Sequence, residues 1–395
     1  MALRKILVLL SLIVPLNLTF AQAPTTPLSK FLLKGYTSTV FEKAGDENSN
    51  FETGFSPIFL WKHGDNLFFE SELEFEVEDE GVNIGLEYAQ LFYFFNDYVM
   101  LGVGKFLSPV NPFSERLHPA WINKLPDMPY GLSAHAGVPL LAGTQMGFQL
   151  RGGIPVGPTK FTYALFLSNG PSLIVEDSLA VAQEGVLGRI TSIVSGQSEG
   201  HLTGGSGLLD FNNFKDNNDD KAIGGRIGLF LLPRLEIGYG FQTAKVGTKG
   251  TEFEDVKATN HTVDVNYVGN VGGLKGKIDI RAQWVWLQID NPNIHPLEFE
   301  NNSNAGYAQL AYQPNGVESS FFRNLEFVLR FDRLDRPDTE EAPFSVDIDR
   351  YSVGINYWVS SSSVFKFAFE SATSNHPDGD SETESKFLAQ FALGF

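Results

Sequence analysis

The stretch LFFESELEFEVEDE, residues 67–80, carries glutamate at every second position: Glu70, Glu72, Glu74, Glu76, Glu78 and Glu80. Phe69, Ser71, Leu73, Phe75 and Val77 alternate with the first of them. On a helix, steps of two residues would scatter the carboxylates around the axis. On a strand they share one face and leave the bulky residues on the other. One face therefore wants water and the other an apolar neighbour, and the fold depends on what that neighbour is.

The pattern recurs. In LKGKIDIRAQWVWLQ, residues 274–288, Leu274, Ile278, Ile280, Ala282, Trp284 and Trp286 oppose Lys275, Lys277, Asp279, Arg281 and Gln283. Leu325, Phe327, Leu329 and Phe331 oppose Glu326, Arg330 and Asp332. Met146, Phe148 and Leu150 oppose Gln145, Gln149 and Arg151, and Ile237, Tyr239 and Phe241 oppose Glu236 and Gln242. Phe387, Ala389, Phe391, Leu393 and Phe395 oppose Lys386 and Gln390. Such segments predict sixteen strands, near 30–41, 51–62, 67–78, 82–94, 98–107, 142–151, 160–169, 222–230, 235–245, 259–267, 274–289, 304–313, 325–334, 350–358, 364–371 and 386–395.

A soluble sandwich with an inner core produces the same alternation. Segment length and connections favour another reading. Most segments are near the length a tilted strand needs to cross a bilayer. Connections after even strands are tight, such as HGDN, FND and LLPR. Those after odd strands are longer and polar, such as VGTKGTEFEDVKA, with the gap near DEG as the short exception. The expected fold is all-β: a transmembrane antiparallel β-barrel of about sixteen strands, with short periplasmic turns and long outer loops. An even count puts both termini in the periplasm. Open edges in hydrocarbon would leave backbone groups unpaired, so the sheet must close. A ring of this size encloses an aqueous channel.

The apolar face then meets lipid and the glutamates face the lumen. Expected pore-lining residues are Glu70, Glu72, Glu74, Glu76, Arg151, Arg226, Lys275, Lys277, Arg281 and Arg330. The acidic ladder and the row Lys275, Lys277, Arg281 lie far apart around the ring, which predicts a transverse field and a weak preference for cations. Trp61, Tyr93, Tyr98, Trp284, Trp286, Tyr357 and Trp358 suit aromatic girdles.

The start MALRKILVLLSLIVPLNLTFAQA has a basic head, an apolar run and small residues at Ala21 and Ala23. It reads as a signal peptide over 1–23, cut after Ala21 or Ala23, ahead of a single barrel over 24–395. The chain has no cysteine, which excludes disulfides and thiol chemistry. A net charge of −18 argues against nucleic acid as a partner. A terminal Phe395 preceded by alternating apolar residues resembles the recognition signal of bacterial outer-membrane barrels. It implies engagement of the barrel-assembly machinery and residence among the lipids of a Gram-negative outer membrane.

Two connections exceed what a turn requires. The first, near 108–141, contains SPVNPFSERLHPAWINKLPDMPYG. A loop of this length usually has its own task, and its charged residues Glu115, Arg116, His118, Lys124 and Asp127 are constriction candidates. The other reading has it covering the mouth or packing on a neighbouring subunit. The second, near 170–221, holds the apolar PSLIVEDSLAVAQEGVLGRITSIVSG and ends in DFNNFKDNNDDK. Together with ERLHPAWINKLP and GRIGLFLLP, these loops resemble the phosphate-selective porin family and its relatives. The resemblance implies a sixteen-stranded homotrimeric porin with inward-folded loops. That family carries phosphate along basic pore residues, whereas the interior positions here mix bases with Glu236, Asp332 and the acidic ladder, so the substrate is not transferred.

Other motifs fail. Asp216, Asn218 and Asp220 have the opening spacing of a calcium loop, but Lys221 and Ile227 stand where its glycine and closing glutamate belong. Asp216 and Asp220 remain weak calcium candidates only. The seven histidines show no metal-binding pair, and no nucleophile stands beside a base. The sequence thus predicts no catalytic residues, no metal site and no cofactor. It reads as a passive channel for small hydrophilic solutes or ions, not an enzyme. A channel selective for phosphate-like anions or sugars is the runner-up, ahead of a barrel enzyme or a surface adhesin.

Overall fold

The computed structural model describes residues 29–45, 48–78, 81–133, 139–174, 209–211, 214–294, 298–337 and 346–395. The expected signal peptide and most of the apolar stretch within 171–196 lie outside these residues.

Strands form where the alternation predicts them. In chain order they are β1 (Ser29–Ala44), β2 (Asn50–His63), β3 (Leu67–Glu78), β4 (Gly81–Asn96), β5 (Val99–Leu107), β6 (Thr144–Val156) and β7 (Thr159–Ser168). Two short strands follow, β8 (Ser172–Leu173) and β9 (Leu209–Asp210). Then come β10 (Ala222–Leu232), β11 (Leu235–Lys245), β12 (Lys257–Val271), β13 (Gly276–Ile289) and β14 (Asn301–Gln313). The last are β15 (Leu325–Asp335), β16 (Asp347–Ser360), β17 (Ser363–Asn375) and β18 (Ser381–Gly394). Sixteen of them close into one barrel, each antiparallel to its neighbours, while β8 and β9 pair only with each other. Closure pairs β1 with β18 from Tyr36↔Gly394 to Ala44↔Lys386. Phe395 completes the seam: its N–H donates to Gly35 O at 2.9 Å, its carbonyl accepts from Gly35 N–H, and its ring stacks on Phe55.

Connections alternate as expected, with two differences. The turn after β14 is wider than the other short turns, because Ser320–Arg323 makes a helical turn within it. The hairpin β17–β18 pairs up to Asn375↔Ser381, so most of ATSNHPDGDSETE is strand, not loop.

Period-two patterning fixes which face is which. Leu329, Val82, Ile84, Phe367 and Tyr351 are exposed on the outside, the band a lipid-facing wall needs. Leu73 shares this face through its pairing with Leu86. β4 departs from strict alternation at one point: the register with β3 shifts between Glu72↔Tyr88 and Leu73↔Leu86, leaving Glu87 as an extra residue. This bulge re-aims the strand, so that Tyr88, Gln90 and Phe92 are buried beyond it while Val82, Ile84 and Leu86 are exposed before it.

The interior is not uniformly wet. Towards the long-loop end, Val285, Leu287, Ile289, Ala305, Tyr307 and Leu334 point inward and pack with Phe106, Val110, Phe113, Tyr130, Leu132, Leu140 and Leu141 in one buried cluster. The water-filled lumen expected from the sequence is therefore displaced there by an apolar core, made by the connection after β5.

Candidate functional site

That connection lies inside the barrel. Beginning at Ser108, it reaches β13, where Phe113 N–H donates to Gln283 and Gln283 donates to Asn111 Oδ1 at 3.2 Å. A single wide helical turn at Phe113–Leu117 then carries Glu115 and Arg116. Glu115 meets Arg151 of β6, and Arg116 meets Glu236 of β11 at 2.8 Å. His118 lies edge-on to Tyr36 of β1, with ring centres 6.4 Å apart. Beyond it the chain crosses to the far wall: Ala120 O accepts from Lys366, Ile122 O from Arg281, and Lys124 O from Asn356.

The far anchorage is ionic and buried. Lys124 meets Glu326 at 2.7 Å and Asp279 at 3.7 Å, and sits over the Trp358 ring. Burial pushes the Lys124 ammonium down in pKa, against the opposing pull of Glu326 and Asp279. Arg350 bonds Asp332 at 2.8 Å, Asp127 at 2.8 Å and Glu370 at 3.1 Å, while its guanidinium lies 4.1 Å over Tyr130. Arg330 bridges Asp332 at 3.1 Å and donates to Asp127 O. Burial pushes the Asp127 carboxyl up, but the charges of Lys386, Arg350 and Arg330 outweigh it and hold the group at about 2.

The pore-lining candidates occupy unlike settings. Arg226 is buried between Glu236 at 2.9 Å and Asp264 at 2.7 Å. Arg281 is buried against Asp279 at 2.9 Å. Arg330 is fully covered, and Arg151 keeps a quarter of its side chain exposed. Lys277 is half-buried near the start of β13. Lys275 requires correction. It caps the Gly272–Leu274 turn in the left-handed region at φ 47°, exposed and ahead of β13, so it is no part of the wall. The basic row across the lumen is thus reduced to a neutralised Arg281 and a peripheral Lys277. Trp358 also departs from expectation: its indole N–H donates inward to Glu326 at 3.1 Å, so it does not belong to a girdle.

The acidic ladder is set differently. Glu70 accepts from Gln90 at 2.7 Å, and Gln90 in turn from Gln149. Glu72 is fully covered, while Glu70, Glu74 and Glu76 are half-buried. Glu115 and Arg116, together with Arg151, Glu236, Arg226 and Asp264, make a chain of alternating charges from β6 through the loop to β12. The loop's Glu115–His118 edge and the β1–β6 wall thus form the two sides of the candidate site. Asp216 is taken up by Lys221 and by the N–H groups of Asn218 and Asp219, and Asp220 lies 3.5 Å from Lys245. No metal-holding group of histidines and carboxylates occurs among the described residues.

Sequence reasoning missed Arg350, Lys366, Glu370, Tyr36 and Tyr88. Two signals were present. Bases and acids recur two residues apart on one strand, as in Asp279–Arg281 and Arg330–Asp332. WVWLQI, residues 284–289, is apolar on both faces, which marks a wall with something packed inside it.

No known protein-family profile matches the chain, and no curated protein sequence does either. Solved outer-membrane proteins do resemble it in structure. The outer membrane channel DcaP of Acinetobacter baumannii superposes with a TM-score of 0.54 at 10% identity, over 95% of this chain and 99% of that one. OmpF of Salmonella typhi, solved with daunomycin, gives 0.54 at 11% identity over 94% and 98%. The anion-selective porin from Comamonas acidovorans gives 0.52 at 12% identity over 93% and 100%. At these identities the likeness is one of fold: a closed antiparallel barrel shared with outer-membrane porins and channels.

Proposed function

We infer that the chain is a passive diffusion channel of a Gram-negative outer membrane, exported by residues 1–23 and admitting small hydrophilic solutes with a preference for cations. The observation that carries this reading is the inward loop, anchored chiefly on β11–β17 of a closed barrel and reaching β6 through the Glu115–Arg151 pair, with the half-buried Glu70, Glu74 and Glu76 on the remaining wall. A closed barrel supports a path through lipid, and an inner loop supports size and charge selection along that path.

Cation preference follows from the distribution of charge. Arg226, Arg281, Arg330 and Arg350 each have carboxylate partners and are buried. Glu70, Glu74 and Glu76 line the opposite wall with part of their surface exposed. Anion or sugar selectivity has less support, because the basic residues it would need are already neutralised. Assembly as a homotrimer fits the small and polar residues Gly35, Thr37, Thr39, Ser71 and Ala89 on the outer face of β1–β4.

The test is conductance of the purified protein in planar bilayers under a potassium chloride gradient. The expected result is stepwise ohmic conductance with a reversal potential on the cation side. Absence of steps would end the channel reading, and an anion-side potential would end the cation preference.

A further inference from the structure

Tyr36, Ser56, Glu72 and Tyr88 come from four consecutive strands, β1 to β4, and meet on the inner wall. Tyr36 is the cross-strand partner of Ser56, and Glu72 that of Tyr88. The Tyr36 phenol donates to Glu72 and is bonded to the Ser56 hydroxyl, and the Tyr88 phenol also bonds Glu72. All four side chains are buried, and Glu72 is only 1% exposed. Its Oε1 is buried and accepts no hydrogen bond. The charges that act on Glu72 most strongly are Glu74 and Glu87, both of its own sign. Its setting is thus unlike that of every carboxylate on β13–β17 described above, each of which has a base within reach.

A buried carboxylate needs a compensating positive charge or a proton. We propose that the niche binds a dehydrated monovalent cation of the alkali or ammonium kind, held by the Glu72 carboxylate and the hydroxyl oxygens of Tyr36, Tyr88 and Ser56. Each hydroxyl can donate its proton while offering a lone pair to the ion. One formal charge among neutral oxygens matches a single positive charge. A divalent ion takes more ligands and commonly more than one carboxylate, and no metal-holding group of histidines and carboxylates occurs among the described residues. Glu74 and Glu76, next along β3 and partly exposed, draw cations towards the niche from the lumen. That route rests on the channel reading, whereas the binding itself does not.

Thallium(I) serves as the probe, titrated into the detergent-solubilised protein at neutral pH and followed by thallium NMR. Saturable binding is expected in the wild type, with competition by potassium and ammonium and little by calcium. Glu72→Gln, which preserves shape, should abolish it. The double variant Tyr36→Phe, Tyr88→Phe keeps the charge and should weaken binding about tenfold, the loss of two ion–hydroxyl contacts. Heat-modifiable migration on gels checks that each variant is folded. No saturable binding in the wild type, or undiminished binding in folded Glu72→Gln, overturns the proposal. Thallium binding without conductance in bilayers would sustain the cation niche while ending the channel reading.

Discussion

The arc from β10 to β18 and the arc from β1 to β4 are built from the same alternation, yet their inner faces meet different things. On the larger arc, Arg226, Arg281, Arg330 and Arg350 are buried among carboxylates, and the loop after β5 is pinned over them. On the smaller arc, Glu70 and Glu72 are bonded to glutamine and tyrosine, with Arg151 acting on Glu70 and Lys105 on Glu74. Periodicity assigns a side chain to a face, but whether that face holds a loop or lines a path depends on its partners.

The largest expected effect tests the anchored arc. Arg350 holds Asp332, Glu370 and Asp127 and stacks on Tyr130. Arg350→Met would leave two wall carboxylates buried without that cation, a loss of ~3–5 kcal/mol for breaking a buried pair. The loop should detach, with earlier thermal unfolding and larger, noisier conductance steps. Glu74→Gln on the other arc should leave unfolding nearly unchanged. Equal tolerance of both changes would mean that the loop is not held by this network.

The next effect separates both inner faces from the outer one. Leu329 and Leu73 face outward on opposite arcs. Replacing either by arginine near the bilayer midplane should cost ~2–4 kcal/mol. Folding into lipid vesicles, followed by heat-modifiable migration on gels, should fall in both variants. If Leu73→Arg assembled normally while Leu329→Arg did not, the outer face of β3 would be shielded from lipid.

Much of the fold was legible because a lipid-facing wall forces strict alternation. Every expected strand formed, and the seam at Phe395 lies where the last alternating segment points. The site was less legible. Glu115, Arg116, His118, Lys124 and Asp127 were recognisable as one charged loop, but their partners come from β1, β6, β11, β13, β15 and β16, and no local pattern encodes such pairings. Lys275 was misjudged because it continues the alternation of β13 by spacing, whereas Gly272 and Gly273 before it make a turn. The bulge at Glu87 was invisible for a related reason: one inserted residue exchanges the faces, and LEYAQLFY is apolar enough to read either way.

A smaller effect probes the anchorage through pH. The Asp127 carboxyl is held at about 2, below its ordinary value, by Lys386, Arg350 and Arg330 acting against burial. A depressed folded-state value stabilises the anchored loop above the unfolded value of about 4, and the contribution is lost as pH falls towards the folded one. Conductance noise should therefore rise between about pH 4 and 2. Asp127→Asn should show that noise already at neutral pH and lose the acid step. An acid step that persists in Asp127→Asn would assign it to other carboxylates.

The smallest effect concerns selectivity and asks whether the smaller arc alone sets it. Changing Glu70, Glu72, Glu74 and Glu76 together to glutamine removes the ladder's charge without altering its size. The reversal potential should then move towards anions. Arg281 is bound by both oxygens of Asp279 and covered by the loop at Ile122, so its field is largely cancelled before it reaches the lumen. Lys275 lies in an exposed turn, where counter-ions screen it within a Debye length, ~8 Å at physiological salt. Lys275→Gln should consequently leave the reversal potential where it is, and Lys277→Gln should shift it only slightly towards cations. A large shift from Lys275→Gln would place the selective step at the short-turn mouth of the barrel, while no shift from the four-glutamine variant would place it on the Glu115–His118 edge of the loop.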